Sequence, residues 1–350
     1  MALTIAVAHL TPYINTYPWT DAGGFGTKYA NPATLPTGYA RRVAFNSTNA
    51  GVAVSHETSP YVSAYPWTDG VGFGTKKANP STLPGAGGYG VAFNSSGLSI
   101  AVSHIASPHI NVYPWTDAGG FGTKKADPAT LPGSGKGVAF NSTGNTIAVC
   151  SSTSPYVLAY PWTDASGFGT KYANPAVLPT SQTLDITFNV TGLTIGLAGY
   201  DSGRVTTYVW LDGVGFGTRY VDPVTLPSGV GHGVAFNTTG LSIACGHENS
   251  PYISAYPWTD ILGFGTKKAN PATLPTQQGR GVAFTDTGLS IAVAHISSPC
   301  ISAYPWTDAS GFGTKKANPS TLPNGYGFGV AFTNALAASS NRRRRVLITG

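Results

Sequence analysis

The chain is poor in charge, in cysteine and in anything resembling a helix. Only 10% of its 350 residues are Asp, Glu, Lys or Arg, and the formal net charge is +6. Four of those positive charges fall in one run, Arg342-Arg343-Arg344-Arg345, which leaves +2 (6 − 4) for everything else. A nucleic-acid-binding domain concentrates basic residues on one face, so nucleic acid is not expected as a partner. The 3 cysteines are an odd number scattered far apart, which excludes a disulfide framework and predicts buried thiols. No stretch carries the 3.6-residue apolar period of an amphipathic helix, and no apolar run is long enough to span a membrane. The apolar start at residues 1–10 lacks a basic leader and recurs later in the chain as strand, so it does not read as a secretion signal. The expected location is a virion or the cytoplasm.

The motifs of common chemistries are missing too. There is no G-x-S-x-G elbow, no H-E-x-x-H and no phosphate loop. Paired carboxylates for acid–base work are not evident, and no cofactor is expected.

What the chain does have is repetition. Trp19, Trp67, Trp115, Trp162, Trp210, Trp258 and Trp306 stand 48, 48, 47, 48, 48 and 48 residues apart. A fixed period in this range marks a repeat architecture. One unit reads GVAFTDTGLSIAVAHISSPCISAYPWTDASGFGTKKANPSTLP from Gly281. It divides into four runs: GVAF, then the alternating LSIAVAH, then CISAYPW after Ser298-Pro299, and finally the more polar FGTKKA. Turn residues separate them, as expected of four short antiparallel strands. Radial copies of such a sheet form a β-propeller. The chain opens on a second strand, Leu3 to His9, and reaches a first strand at Gly329 to Phe332 with no second strand after it. Those two pieces complete one blade and close the ring, which protects its sheet edges. The expected fold is therefore all-β, a seven-bladed propeller over residues 1–334, followed by a basic tail at 335–350.

The phrases VAFNSTG, LSIAVSH, SPYVSAY and PWTD resemble the degenerate WD40-like propeller repeats of bacteria and their viruses. The likeness covers residues 2–334, with W-T-D in place of adjacent W-D and without the Gly-His dipeptide. It implies a rigid binding platform, and the charge-poor, Gly/Pro/Asn/Thr-rich style is similar to that of tailed-phage virion proteins. Fold alone does not license a function.

Candidate contact residues lie where blades differ or polar groups gather. His9, His56, His104, His247 and His295 end the second strands, forming a near-ring on the face expected to carry the binding loops. Equivalent positions spread around a circle do not converge as a zinc site requires, so hydrogen bonding to neighbouring loops is the better reading. At the start of the first strands, Gly90, Gly137, Gly233, Gly281 and Gly329 give way to Arg42 and Asp185 in two blades. These are the expected polar groups at the channel mouth. The blade at 184–227 departs most, with Tyr200-Asp201-Ser202-Gly203-Arg204 for the usual His-x-x-Ser-Pro and Val209 for the proline before Trp210. Tyr200, Asp201 and Arg204 are its candidate contacts. Lys28, Lys76, Lys124, Lys171, Arg219, Lys267 and Lys315 recur opposite Asp21, Asp69, Asp117, Asp164, Asp212, Asp260 and Asp308, and read as solvated or loosely paired rim charges. The arginine run of the tail would dock on a protein partner.

The leading expectation is a non-enzymatic structural or adhesion module on a phage particle, its tail bound to capsid or tail proteins. The alternatives are a lectin-like binder of surface glycans and a lactonase or hydrolase with a channel-mouth site.

Overall fold

A computed structural model describes residues 3–335; the arginine run proposed for tail docking lies outside the described residues. The described chain forms seven four-stranded antiparallel sheets. Six come from consecutive strands, at residues 40–73, 88–121, 135–168, 183–219, 231–264 and 279–312, numbered here blades 2 to 7. Blade 1 joins Leu3–Thr11, Ile14–Thr20 and Gly24–Phe25 to the last strand, Asn324–Phe332. Ile5 pairs with Phe332, Val7 with Val330 and Ala8 with Gly329, so the expected closure of the ring by its two ends is present. Among the described residues no helix is long and apolar enough to cross a membrane.

The first strands of neighbouring blades pack against one another around the axis. Glycine is needed there: a Cβ on Gly233 would lie 2.6 Å from the Arg280 carbonyl of the next blade, and one on Gly281 would lie 2.8 Å from that of Phe328. Second strands are buried along their whole length in blades 2 to 7, and from Leu3 to His9 in blade 1, because blades cover both of their faces. Each tryptophan is at most 3% exposed and meets the Phe of the outer strand edge-on, as Trp115 does Phe121 at 5.4 Å.

The expected fourth strand is corrected in length. In six blades it is a Gly-Phe pair only; in blade 5 it runs from Gly215 to Arg219. The physical reason is the proline before each tryptophan, which has no N–H to give to an outer neighbour. Gly74 donates to the Pro66 carbonyl at 2.9 Å, but Pro66 cannot reciprocate. In blade 5 Val209 stands at that place with an N–H, and the outer strand is longer.

The rim charges are corrected as well. The aspartates do not pair with the lysines opposite. Each accepts from its own tryptophan or from the first turn of the preceding blade, or from both. Asp164 of blade 4 holds Trp162 Nε1 at 3.1 Å together with Asn94 at 3.0 Å, Ser96 at 2.7 Å and Ser99 at 2.5 Å of blade 3. Asp117, Asp212, Asp260, Asp308, Asp21 and Asp69 each reach back one blade in the same way, so the latches run around the whole ring. The turn itself is tied in as well, since Asn46 also accepts from the Gly51 amide at 2.9 Å. Partial burial pushes the carboxyls of Asp21, Asp164, Asp260 and Asp308 up, but their hydroxyl, indole and amide donors outweigh it and hold them below the usual range.

Candidate functional site

The inner strand of every blade carries an irregularity at the same place. In blade 3, Gly88 pairs with His104 and Gly90 with Ser103, so Tyr89 between them has no partner. The same skip occurs at Arg41, Lys136, Leu184, His232, Arg280 and Phe328. A bulge of this kind re-aims one side chain and is common beside functional sites. Here the seven bulges, together with Arg42, line one cavity of about 110 Å³ at the axis.

The cavity is strongly basic. Arg41, Arg42, Lys136 and Arg280 all line it. Arg41 pairs with Glu57 and stacks over Phe328 (4.6 Å to the ring centre) and Tyr89 (5.2 Å). Lys136 Nζ sits 4.0 Å above the Tyr89 ring. Arg42 crosses from blade 2, donating to the carbonyls of Phe328 at 2.9 Å and His232 at 3.0 Å, and it faces Asp185 at 3.5 Å. Lys136 and Arg280 have no carboxylate partner among the described residues. Burial, and then repulsion from Arg41, lowers the Lys136 pKa; burial with Arg41 and Arg42 does the same to Arg280. Burial pushes the Asp185 carboxyl up against the opposing pull of Arg42. Three buried nitrogens of these lining residues have no hydrogen-bond partner: Arg41 Nε, His232 Nε2 and Arg280 Nε. A buried donor left unpaired costs about 1–3 kcal/mol, and an entering acceptor recovers it.

Arg42 and Asp185 thus do meet at the channel, as the sequence suggests, with Arg42 lining the cavity and Asp185 behind it. The other sequence candidates stand elsewhere. His9, His56, His104, His247 and His295 are fully buried, which corrects their placement on a contact face. His56 Nδ1 donates to the Thr58 carbonyl at 2.8 Å and Nε2 accepts from Ser63 at 3.0 Å; His247 does the same with Ser228 and Ser254. Desolvation is the main reason that His56, His104, His247 and His295 are pushed down to about 4. Asp201 is also corrected. It is 2% exposed and is occupied by Thr180, Thr206 and Arg219 inside blade 5. Arg204 takes a left-handed backbone turn (φ 61°) and its carbonyl accepts from Gly199. Tyr200 alone of that loop presents a large exposed apolar surface. No group of three or more metal-ligating side chains converges among the described residues.

Seven lining residues escaped the sequence reading, and a signal for them exists. The phrase Gly-x-Gly-Val recurs with x as Tyr89, Lys136, His232, Arg280 and Phe328, at the blade period. The flanks stay constant while x is a different residue each time, and Arg41 and Leu184 hold the same rank in the two remaining blades.

No family model and no curated protein sequence matches the chain. Solved structures do. A protein from Bacteroides fragilis assigned as a 6-phosphogluconolactonase superposes with a TM-score of 0.74 at 15% identity, over 95% of this chain and 98% of that one. One from Bacteroides uniformis with the same assignment gives 0.73 at 15%, over 95% and 99%. The periplasmic gluconolactonase of Pseudomonas aeruginosa gives 0.69 at 13%, over 95% and 99%. Identities this low establish the shared seven-bladed propeller and nothing finer. They correct the leading expectation all the same: the named neighbours are lactonases, and the reading as a non-enzymatic virion or adhesion module has no counterpart among them.

Proposed function

We propose that this propeller is a hydrolase that opens a sugar lactone bearing a negative charge, in the axial cavity. The observation that carries the reading is the uncompensated charge there. Lys136 and Arg280 line a small, partly closed cavity with no carboxylate of their own, beside donors that lack acceptors. Such a site attracts an anion and stabilises an oxygen on which negative charge grows. The lactonase names of the structural neighbours point the same way.

Lactone hydrolysis needs little more. Water adds to the carbonyl carbon, the carbonyl oxygen becomes an oxyanion, and the ring C–O bond then breaks to give a hydroxy acid. In this site Arg280 faces the developing oxyanion, while Lys136 and Arg41 hold the anionic substituent. The proton lost by the attacking water passes through solvent to the departing ring oxygen, while Asp185, behind Arg42, holds that arginine in place. Tyr89 and Phe328 supply flat apolar walls for the sugar ring.

The test is acid release from 6-phosphoglucono-δ-lactone and glucono-δ-lactone at neutral pH, followed above the spontaneous rate. Acceleration with preference for the phosphorylated lactone, lost by about 10²–10³-fold in Arg280→Met, supports the reading. A rate equal to the spontaneous one with both lactones overturns it.

A further inference from the structure

The histidine of the ring carries an inference that rests on this reading and deepens it. His232 is 7% exposed and lines the cavity. Its Nδ1 lies 3.1 Å from Arg280 Nη1. A guanidinium has only donors, so Nδ1 must be the acceptor and the ring proton must be on Nε2. Nε2 is buried and has no partner. We infer that Arg280 locks His232 as a neutral imidazole whose Nε2–H is the donor that binds the lactone carbonyl oxygen and follows it as it becomes an oxyanion.

The surroundings keep the ring in that state. Burial is the largest effect, and the charges of Arg280 on blade 7 and Arg42 on blade 2, with His247 on the adjacent strand, add to it; together they push His232 down to about 3. Asp185, on the neighbouring blade 5, is occupied with Arg42 and the Val234 amide at 3.1 Å and offers no counter-charge. A proton-shuttling histidine needs a pKa near the working pH. His232 is therefore a fixed donor, and no proton leaves it during the reaction. Arg280 acts twice, as a charge in the site and as the group that sets the tautomer.

The experiment is nitrogen NMR of the full chain labelled at histidine, read beside the activity of three variants. Expected are an unprotonated Nδ1 and a protonated Nε2 at His232 that do not change between pH 8 and about pH 5, as an ordinary histidine would near ~6.5. In Arg280→Met, His232 is expected to titrate at a higher pH than in the parent. His232→Leu should lower the hydrolysis rate about 10²–10³-fold, as loss of an oxyanion donor does. His232→Gln, which keeps an N–H at the same reach, should restore most of it. An Nδ1–H tautomer, or an ordinary titration in the parent chain, overturns the inference whether or not lactones are hydrolysed. The expected tautomer with no lactone hydrolysis removes the function and with it the donor role. Equal rates in His232→Leu and the parent overturn the donor role alone.

Discussion

Two regions of this molecule obey opposite rules. In the body of each blade the same residues recur: a tryptophan, an aspartate that latches onto the preceding blade, and an alternating second strand. In the bulges at the axis the backbone recurs but the side chains do not, and Arg, Tyr, Lys, Leu, His, Arg and Phe follow one another around the ring. Symmetry suffices to hold a ring together, since every interface has the same work to do. Binding a small asymmetric molecule on the axis requires that symmetry to be broken, and it is broken where the strands are closest together. Constancy marks the scaffold and variation marks the site.

The sharpest way to break the scaffold is acid. His56, His104, His247 and His295 are buried neutral at about 4, below the ordinary value near ~6.5. Their folded pKa is depressed, so the unfolded chain binds more protons between those two values. The stability they contribute is whole above about pH 6.5 and is lost as the pH falls toward 4. The carboxyls of the Asp latches, held low, extend the loss below pH ~4. The expected outcome is a fall of several kcal/mol across this range, seen as a declining denaturation midpoint. A midpoint unchanged from pH 7 to 5 would contradict the burial of these rings.

Removing one scaffold aromatic should come next in size. Trp115 is 1% exposed, lies between Phe93 and Phe121, and reaches Gly51 of the neighbouring blade. Trp115→Ala should lower stability by about 3–5 kcal/mol in denaturant titration. The axial equivalent behaves in reverse. Lys136→Met should leave the midpoint within about 0.5 kcal/mol, because it relieves repulsion and keeps the stem. It should weaken inorganic phosphate binding, read by calorimetry, by roughly tenfold, the scale of one exposed-to-half-buried ion contact. Equal stability losses in the two variants would erase the distinction between scaffold and site.

The sequence made the scaffold legible because repetition is itself a signal: seven tryptophans fix the period, Gly and Pro mark the turns, and the split blade declares the closure. Its failures have physical causes. His9 and its equivalents look like a surface ring because a histidine at a strand end resembles a contact residue; only the folded blade shows the imidazoles sealed against Ser63, Asn111 or Ser254 on the next strand. The aspartates look like partners of the nearby lysines because the latch is made across blades, at a separation of some 65–71 residues that local reading does not span. Arg42 and Asp185 were visible as departures from glycine. Their neighbours at the bulge were not, because a residue that varies in every copy reads as unconstrained until the backbone shows all seven turned inward.

One more contrast lies within the scaffold. Blade 5 has the long outer strand, Gly215 to Arg219, and the valine in place of proline. If the missing N–H is what shortens the other outer strands, Val209→Pro should shorten this one too. The loss is one ladder donor at an exposed edge, about 0.5–1.5 kcal/mol. It should appear locally, as faster amide exchange from Gly217 to Arg219, with Trp210 and the axial cavity unaffected. The reciprocal change, Pro66→Val, should slow exchange beyond Phe73 in blade 2. If exchange in blade 5 stays slow after Val209→Pro, the Arg219 ion pairs with Asp201 and Asp222, at 2.8 and 2.9 Å, hold the strand instead of the backbone donor.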